Sequence, residues 1–536
     1  MKNSVLLYVI HLLLIFINLK SQVNHEWVKF YDGNGNYSSF PHKIKIDNSN
    51  NIYITGRSFD STQMPRPHIV KYRSDGFQLW SSIIPYIGEP SDLQIDNSGD
   101  IIITGYCSYY GNSIDAFVAK YSDSGEMLWL GIYDTNQADE FGRSVAVSND
   151  GCIYIGGSIS DNAKPDYLLI KFSSYGSIEW VRRYNGPGNH EDFIEKVKID
   201  NSGFIYVTGY SSYDYYTIKY DETGRELWNH RYNGLANSND IVYDMEIDDS
   251  DNLYITGASY SGPNNFLDYA TIKYNSAGAI QWISRYDGPG HGKDYPYDMV
   301  VDNKTGDVFV TGKSTGPSPS FDYDFCTIKY NSSGMQQWVN RYSEVYWFDD
   351  VADAIQLDLY GNVYVTGVVH TNYWSGDYCT IKYSSNGEQK WIAKFDNRNS
   401  YDSATGLVID KNGNIIVTGS TANGSAFSVF GTVKYSQPIG IQPVLSEIPR
   451  KYNLFQNYPN PFNPITNIRF SIPKESFVKL AIFDILGREV NTLVNDNLEP
   501  ATYEVNWNAD EIPSGVYFYR IIAGNYSETK KMLLVK

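Results

Sequence analysis

The stretch Val197–Gly209, VKIDNSGFIYVTG, contains the pattern that decides the fold. Apolar and β-branched residues on both sides are typical of strands, and Asn201-Ser202-Gly203 between them is typical of a tight hairpin turn. Two more strands are predicted downstream, over Tyr216–Tyr220 and through Trp228 to Tyr232, with a second glycine-containing turn between them. The stretch therefore predicts a four-stranded antiparallel unit.

This unit recurs along most of the chain. An apolar run ends in Thr-Gly, or once in Gly-Gly, at intervals of 48–55 residues, and its anchor glycines are Gly56, Gly105, Gly157, Gly209, Gly257, Gly312, Gly367 and Gly419. Eight Lys-Tyr or Lys-Phe pairs and eight tryptophans follow the same period. Four-stranded repeats of about 50 residues are typical of β-propeller blades.

The order of the anchors predicts how the repeats close. Trp27 precedes the first Thr-Gly anchor, whereas the last unit ends at Lys434-Tyr435 without a tryptophan strand. The N-terminal strand can therefore complete the last blade and hide the open edges. We expect an all-β, eight-bladed propeller of four-stranded blades over residues 24–435. An open solenoid is the alternative, but it would need capping repeats.

The repeat resembles the bacterial β-propeller repeat family called SBBP repeats. The matching elements are the turn from Ile409-Asp410 to Gly413-Asn414, the run Tyr364–Gly367 and the run Asp268–Tyr274. The resemblance implies a propeller fold and little about activity, because propellers host many functions.

Composition and the N-terminus indicate the compartment. The 536 residues carry a net charge of −18, which argues against a nucleic-acid partner because phosphate binding needs a basic surface. Residues 1–21 resemble a secretory signal peptide, and no later run is long enough to predict a transmembrane segment in the mature chain. Four cysteines, without zinc spacing, are expected to be small buried residues. We therefore expect a secreted or outer-surface protein.

A second module follows the repeats. Residues 436–449 contain three prolines among Gly, Ser and Gln and predict a linker. Residues 450–536 predict a small antiparallel β domain, because apolar residues alternate in Val478–Phe483 and again in Val516–Ile521.

This module resembles the type A C-terminal sorting domain of the type IX secretion system of Bacteroidota and relatives. The resemblance rests on the run Tyr452–Pro464, the turn Asp484–Val490, Gly515-Val516-Tyr517 and the terminal Lys530–Lys536. The motif positions are Pro459, Asn460, Pro461, Phe462, Asn463, Pro464, Gly487, Gly515 and Lys531. The resemblance implies an immunoglobulin-like sandwich, export by the type IX machinery and removal by its sortase-like protease. Cargo of this kind is attached to the surface or released.

Aromatic residues are dense in the long loops that follow second and fourth strands, on what we call the loop face. They are Tyr109, Tyr110, Tyr213, Tyr215, Tyr346, Trp347, Tyr373 and Trp374. Flat rings with polar edges suit sugars or protein partners, and variable loops on a rigid scaffold often bind ligands. The alternative is that these rings pack the loops together.

An acid recurs eight residues before the turn aspartate in six units. We call these residues the first-strand acids: Glu140, Asp192, Asp240, Asp294, Asp350 and Asp402. Placed near the central channel, they could hold Ca²⁺. They could equally accept hydrogen bonds from their own loops, and their strict repetition favours that role in building the blades.

A basic residue recurs three positions after the blade tryptophan: Arg183, Arg231, Arg285, Arg341 and Lys394. Together with the lysine of each Lys-Tyr pair, it predicts a solvated or ion-paired outer surface that contributes little to the stability of the fold. A site for sugar anions is the alternative.

The sequence favours a non-enzymatic binding or adhesion module for glycan or protein. No nucleophile, zinc-protease or phosphate-loop motif is present in it, and no cofactor is predicted apart from the candidate Ca²⁺. A propeller-type polysaccharide hydrolase or lyase and a structural surface protein are the alternatives.

Overall fold

A computed structural model describes residues 23–33, 37–108, 113–160, 164–235, 238–261, 266–317, 322–372, 375–397, 400–422, 427–436, 443–445, 449–498, 500–509 and 512–536. These residues form forty β-strands and contain no helix. Thirty-two strands make eight four-stranded antiparallel sheets, which are the blades of an eight-bladed β-propeller.

The first four blades follow chain order. Blade 1 contains β2 (Ser39–Ile46), β3 (Ile52–Phe59), β4 (Pro65–Tyr72) and β5 (Gln78–Ile83). Blade 2 contains β6 (Ile87–Ile95), β7 (Ile101–Ser108), β8 (Asp115–Tyr121) and β9 (Met127–Tyr133). Blade 3 contains β10 (Asp139–Val147), β11 (Ile153–Ser160), β12 (Asp166–Phe172) and β13 (Ile178–Tyr184). Blade 4 contains β14 (Asp192–Ile199), β15 (Ile205–Ser211), β16 (Asp214–Tyr220) and β17 (Glu226–Tyr232).

The remaining blades complete the circle. Blade 5 contains β18 (Asp240–Ile247), β19 (Leu253–Ser261), β20 (Phe266–Tyr274) and β21 (Ile280–Tyr286). Blade 6 contains β22 (Asp294–Asp302), β23 (Asp307–Thr315), β24 (Tyr323–Tyr330) and β25 (Gln336–Tyr342). Blade 7 contains β26 (Val351–Leu357), β27 (Val363–Asn372), β28 (Ser375–Tyr383) and β29 (Gln389–Phe395). Blade 8 contains β30 (Ser403–Ile409), β31 (Ile415–Ala422), β32 (Ser428–Ser436) and the N-terminal β1 (Asn24–Tyr31).

The circle closes as the sequence predicts. Strand β1 pairs antiparallel with β32, from Asn24 opposite Ser436 to Tyr31 opposite Phe430. First strands of successive blades pack against one another, and β2 of blade 1 packs against β30 of blade 8. Across the same junction, the Lys434 Nζ donates a hydrogen bond to the Ser74 carbonyl at 3.0 Å. Strand β1 thus covers the edge of β32 that would otherwise be open.

The lysine and tryptophan anchors fasten each blade to the next. Lys171 Nζ and Trp180 Nε1 both donate to the Glu222 carbonyl, which lies in the turn between the third and fourth strands of the following blade. Lys329 and Trp338 share the Ser385 carbonyl in the same way. Of the expected solvated or ion-paired surface, the solvated part is wrong for the lysines that are buried, whereas ion pairs are present, for example from Lys120 to Asp96 and from Lys434 to Asp410. The buried lysines are Lys71, Lys120, Lys171, Lys219, Lys382 and Lys434.

The anchor glycines are needed because the first strand bulges towards them. In blade 5 the register passes from Val242 opposite Gly257 to Asp244 opposite Thr256, skipping Tyr243. A Cβ on Gly257 would lie 2.1 Å from the Ile241 carbonyl oxygen. All eight blades have this bulge, and the residues it skips are His42, Ser91, Arg143, Glu195, Tyr243, Tyr297, Asp353 and Thr405. Bulges of this kind redirect side chains near sites.

The C-terminal domain is a sandwich of two four-stranded sheets. One sheet has the order β33 (Pro443–Leu445), β38 (Ala501–Asn508), β35 (Ile465–Ile472), β34 (Asn453–Leu454). The other has the order β37 (Glu489–Leu498), β36 (Ser476–Phe483), β39 (Gly515–Ala523), β40 (Tyr526–Leu534). Side chains from both sheets share one core around Trp507. The segment 436–449 expected to be a linker contributes β33, which pairs with β38, so part of it belongs to this sheet.

Candidate functional site

Two exposed aromatic rings project from the loop between β25 and β26. Tyr346 and Trp347 are 51% and 59% exposed, and their ring centroids lie 5.1 Å apart. Trp347 has φ +87°, a left-handed conformation that costs a bulky residue about 1–3 kcal/mol. Its backbone N–H donates to Asp322 Oδ2 at 2.9 Å. The backbone is thus held in a strained form that leaves the indole facing solvent.

The other predicted aromatic residues have different positions. Tyr213 is 38% exposed and its ring lies 4.9 Å from that of His190. Tyr215 is 1% exposed and packs on Tyr232, which corrects its expected place on the loop surface. Four others, Tyr109, Tyr110, Tyr373 and Trp374, lie outside the described residues.

A row of partly exposed tyrosines, which we call the aromatic track, extends from the first strands of blades 5 and 6 to the start of the third strand of blade 6. Its members are Tyr243, Tyr295, Tyr297 and Tyr323. The rings of Tyr295 and Tyr323 are 6.2 Å apart, and those of Tyr243 and Tyr297 are 5.2 Å apart. Lys313 Nζ lies over three of them, 4.5 Å from the Tyr323 centroid and 5.2 Å from the Tyr295 centroid. The track therefore combines flat rings with one cation.

The track connects to the exposed pair through its loops. Tyr323 N–H donates to Asp349 Oδ1 at 3.1 Å, and Asp349 follows Trp347 by two residues. Burial lowers the pKa of Lys313, against the opposing charges of Asp349 and Asp353. Burial also raises the pKa of Asp353, a bulge residue, to about 7, while Lys313 opposes that shift. Tyr243, Tyr297 and Asp353 are not predicted from the sequence, because strand alternation does not show where a bulge redirects a side chain.

Charged residues of the first strands fasten neighbouring blades. Lys196 Nζ lies 2.8 Å from Asp244 Oδ1, and Asp244 Oδ2 accepts the Met299 N–H at 3.0 Å. Asp298 Oδ2 accepts the Ile355 N–H of the next blade at 2.8 Å. Burial, then the charge of Asp244, raises the pKa of Asp298 well above its usual range. These acids serve the scaffold, since each satisfies a backbone amide of the following blade.

The first-strand acids are buried and hold loops in place. Asp294 Oδ2 accepts the Gly288 N–H at 2.7 Å, and its Oδ1 accepts the Thr315 N–H at 2.9 Å. Asp192, Asp240 and Asp350 accept two backbone N–H groups in the same arrangement. Asp402 accepts the Asn397 N–H and the Thr421 hydroxyl. In the described part of the chain, no carboxylate cluster contains two first-strand acids.

Replacing Asp294 by alanine leaves two buried N–H groups without an acceptor. We expect Asp294→Ala to lower the free energy of unfolding by about 2–4 kcal/mol, since each unpaired buried group costs about 1–3 kcal/mol. Asp287→Ala, in the same loop but half exposed, should change it by less than about 0.5 kcal/mol. Urea unfolding of both variants measures the difference, and equal effects would contradict a loop-holding role.

The sorting motif packs against the terminal strand. Phe462 is 2% exposed, and its ring lies 5.5 Å from that of Trp507. Its N–H donates to the Leu533 carbonyl at 3.0 Å, while Asn460 Oδ1 accepts the Leu533 N–H at 2.9 Å. The Pro459 carbonyl accepts the Thr466 hydroxyl at 2.8 Å. The motif therefore holds β40 in place through packing and hydrogen bonds.

The other motif positions lie at turns and edges. The Pro464 carbonyl accepts the Ala509 N–H at 3.0 Å, and Pro461 and Asn463 are exposed. Gly487 has φ +75° in the turn after β36, where its N–H donates to the Asp484 carbonyl. Gly515 begins β39, and the Lys531 carbonyl accepts a hydrogen bond from Gln456.

Residues 456–536 match the family model described as "Secretion system C-terminal sorting domain". The domain is a type IX secretion sorting domain. A sorting domain implies contact with the type IX machinery and export to the cell surface or the medium. Within the described residues, no helix has the length and apolar character to cross a bilayer.

No curated protein matches the chain. Among solved structures, PorZ, a surface component of the type IX system of Porphyromonas gingivalis, is 16% identical with a TM-score of 0.39, and the match covers 91% of this chain and 68% of PorZ. Drosophila Plexin A, in a complex with Semaphorin 1b, is 9% identical with a TM-score of 0.37 over 77% of this chain and 87% of that one. A Xanthomonas campestris gluconolactonase is 10% identical with a TM-score of 0.30, over 66% and 99%. Because all three TM-scores are below 0.5, the fold rests on the strand pairing itself.

Proposed function

We propose that this type IX cargo is a non-enzymatic binding or adhesion module whose loop face takes up glycan or protein. The observation that carries the proposal is Trp347, an indole left 59% exposed by a strained backbone that Asp322 holds in place. Strain of this kind persists where the surrounding structure fixes it, often at ligand sites. Exposed aromatic rings of this size are enriched at binding surfaces.

The aromatic track adds a second reason to favour a glycan. Tyr295, Tyr297 and Tyr323 offer flat faces to the apolar side of a sugar, and Lys313 offers hydrogen bonds or charge to its hydroxyl or acidic groups. The track lies within two blades rather than all eight. This asymmetry suits a site for one ligand better than the repeated first-strand acids do.

The full chain should be screened against a glycan array and, separately, against polysaccharides with detection of new reducing ends or unsaturated sugars. Binding without products supports the proposal. Products would instead support a hydrolase or lyase, a second candidate favoured by Asp353, whose pKa of about 7 suits proton transfer. If neither binding nor products are detected, a protein ligand or a structural surface role is favoured instead.

Trp347→Ala should weaken binding at least tenfold, because it removes the exposed ring. The thermal midpoint should stay within about 2 °C, since the side chain is mostly in water. Tyr175→Ala is the matched control, because Tyr175 is 89% exposed in a turn on the opposite face. Loss of binding in the control, or none in Trp347→Ala, would remove this site from the proposal.

A further inference from the structure

Three carboxylates meet at the junction of blades 2 and 3. Asp115 begins β8, Asp134 follows β9, and Glu140 lies in β10 of the next blade. One carboxylate oxygen of each lies within 4.8 Å of the other two. The cluster therefore joins a third strand, an inter-blade loop and a neighbouring first strand.

Glu140 departs from the other first-strand acids. It is 0% exposed, and its Oε1 accepts the Thr135 hydroxyl at 2.5 Å. Its Oε2 is buried and has no hydrogen-bond partner among the described residues. Asp192, Asp240, Asp294 and Asp350, in contrast, use both oxygens to accept backbone N–H groups. A buried carboxylate oxygen without a partner is costly, so among the described residues the site lacks a positive or donating group at this oxygen.

The repeat shows which group is missing. In blade 4, Arg231 Nη1 lies 2.9 Å from Asp214 Oδ2, and in blade 6, Arg341 Nη2 lies 2.8 Å from Asp324 Oδ2. These arginines come three residues after the blade tryptophan, opposite Tyr216 and Cys326 in the ladder. In blade 2 the same position, opposite Phe117, is Ile132. Asp115 occupies the place of Asp214 but has no such arginine.

Two other carboxylate clusters provide an internal comparison. They consist of Asp268, Asp287 and Asp294, and of Asp377, Asp396 and Asp402. Their blades retain the basic residue, as Arg285 and Lys394. Burial, then the charges of Asp396 and Asp402, raises the pKa of Asp377 to about 6, while the charge of Lys394 opposes the shift. The cluster at blades 2 and 3 is thus the one of the three whose blade has lost its basic residue.

The acids at this junction raise one another's pKa. Burial, then the charges of Asp115 and Asp134, raises the pKa of Glu140 to about 7, while hydrogen bonds from Thr135 oppose the shift. Burial, then the charges of Asp134 and Asp139, raises the pKa of Asp115, while a hydrogen bond from Ser113 opposes that shift. A bound cation would remove this repulsion.

We propose that Asp115, Asp134 and Glu140 bind one Ca²⁺ ion and so link blades 2 and 3. The ligands are all carboxylate oxygens, which suit a hard cation rather than zinc or copper. Ca²⁺ takes six to eight oxygens, and the exposed side of Asp134 leaves room for water to supply the rest. The ion would take the place that arginine has in blades 4 and 6.

Isothermal titration of the full chain with CaCl₂ tests the proposal. We expect the full chain to bind Ca²⁺ at this site. Asp134→Asn should weaken the Ca²⁺ affinity at least tenfold because it removes a ligand. Ile132→Arg should also weaken it at least tenfold, because the arginine supplies the missing positive charge. Ile132→Arg should also raise the thermal midpoint measured without Ca²⁺. Asp287→Asn, in the cluster whose blade keeps Arg285, is the control and should leave the affinity of this site unchanged.

The pH dependence gives an independent readout. Carboxylate ligands must be deprotonated to bind a metal ion, so the Ca²⁺ affinity should fall as the pH decreases and binding should release protons. Absence of Ca²⁺ binding at millimolar concentration would overturn the proposal. So would affinity unchanged in Asp134→Asn, which decides the matter even if Ile132→Arg fails to fold.

Discussion

Phe462→Ala should strongly reduce export of this protein, because it destabilises the sorting domain. The Phe462 ring is 2% exposed between the two sheets, and truncating a buried phenylalanine costs about 3–5 kcal/mol. That loss is a large part of the net stability of about 5–15 kcal/mol expected of a folded domain. The same residue holds β40 through two backbone hydrogen bonds, to the Leu533 carbonyl and from the Val535 N–H. Loss of the ring would therefore loosen the C-terminal strand as well.

Cell fractionation measures the result. The Phe462→Ala protein should accumulate inside the outer membrane or be degraded, whereas the unaltered protein should reach the surface or the medium. Phe477→Ala is the matched control, because Phe477 is 54% exposed on the same sandwich and loses the same atoms. Normal export of Phe462→Ala would show that the motif does not act through folding of the domain.

A third variant separates folding from recognition. Tyr458 is 80% exposed and directly precedes the sorting motif, so Tyr458→Ala should leave the domain folded. If Tyr458→Ala also blocks export, the machinery reads the exposed surface of the motif. If the variant is exported normally, export depends on the buried residues of the motif rather than on its exposed surface.

The blades were predictable because each repeated residue has a physical task that recurs. The anchor glycine avoids a bulged carbonyl, as Gly257 does opposite Ile241, and Trp180 and Lys171 bond to a turn in the next blade. Residues that make the same contact in every blade therefore recur at the spacing of the repeat in the sequence. Their count and order predicted eight blades and closure by the N-terminal strand, which the structure confirms.

The site was less predictable because it depends on departures from the period. Tyr243 and Tyr297 join the aromatic track at bulges that skip one residue in the first strand, and strand alternation does not show where such a bulge occurs. The burial of the lysines expected in a solvated or ion-paired surface could not be predicted, because their carbonyl acceptors lie in the next blade, more than 50 residues away in the sequence. That Ile132 replaces a basic residue becomes clear only when its position in the ladder is compared with those of Arg231 and Arg341.

Removing β1 should unfold the propeller cooperatively, and this is the largest stability effect we expect. Without residues 24–31, seven residue pairs between β1 and β32 are lost, and β32 becomes an open edge. Tyr31 is 4% exposed and also bonds to His68 in blade 1, so the strand joins the two ends of the circle. Burying one such large apolar side chain contributes about 1.5–3 kcal/mol. Val28 and Trp27 add further packing, so the total approaches the whole net stability of a domain.

Thermal unfolding and light scattering of a chain that begins at residue 32 measure this effect. We expect loss of the cooperative transition of the propeller, together with aggregation through the exposed edge of β32. The matched control moves residues 24–31 behind Ser436 through a short turn, so that they follow β32 directly, as β29 follows β28. This rearranged chain keeps every pairing of blade 8 and should unfold near the original temperature. If the shortened chain unfolded within a few degrees of the complete one, the closing strand would not be what holds the circle together, because seven blades and an incomplete eighth would then suffice.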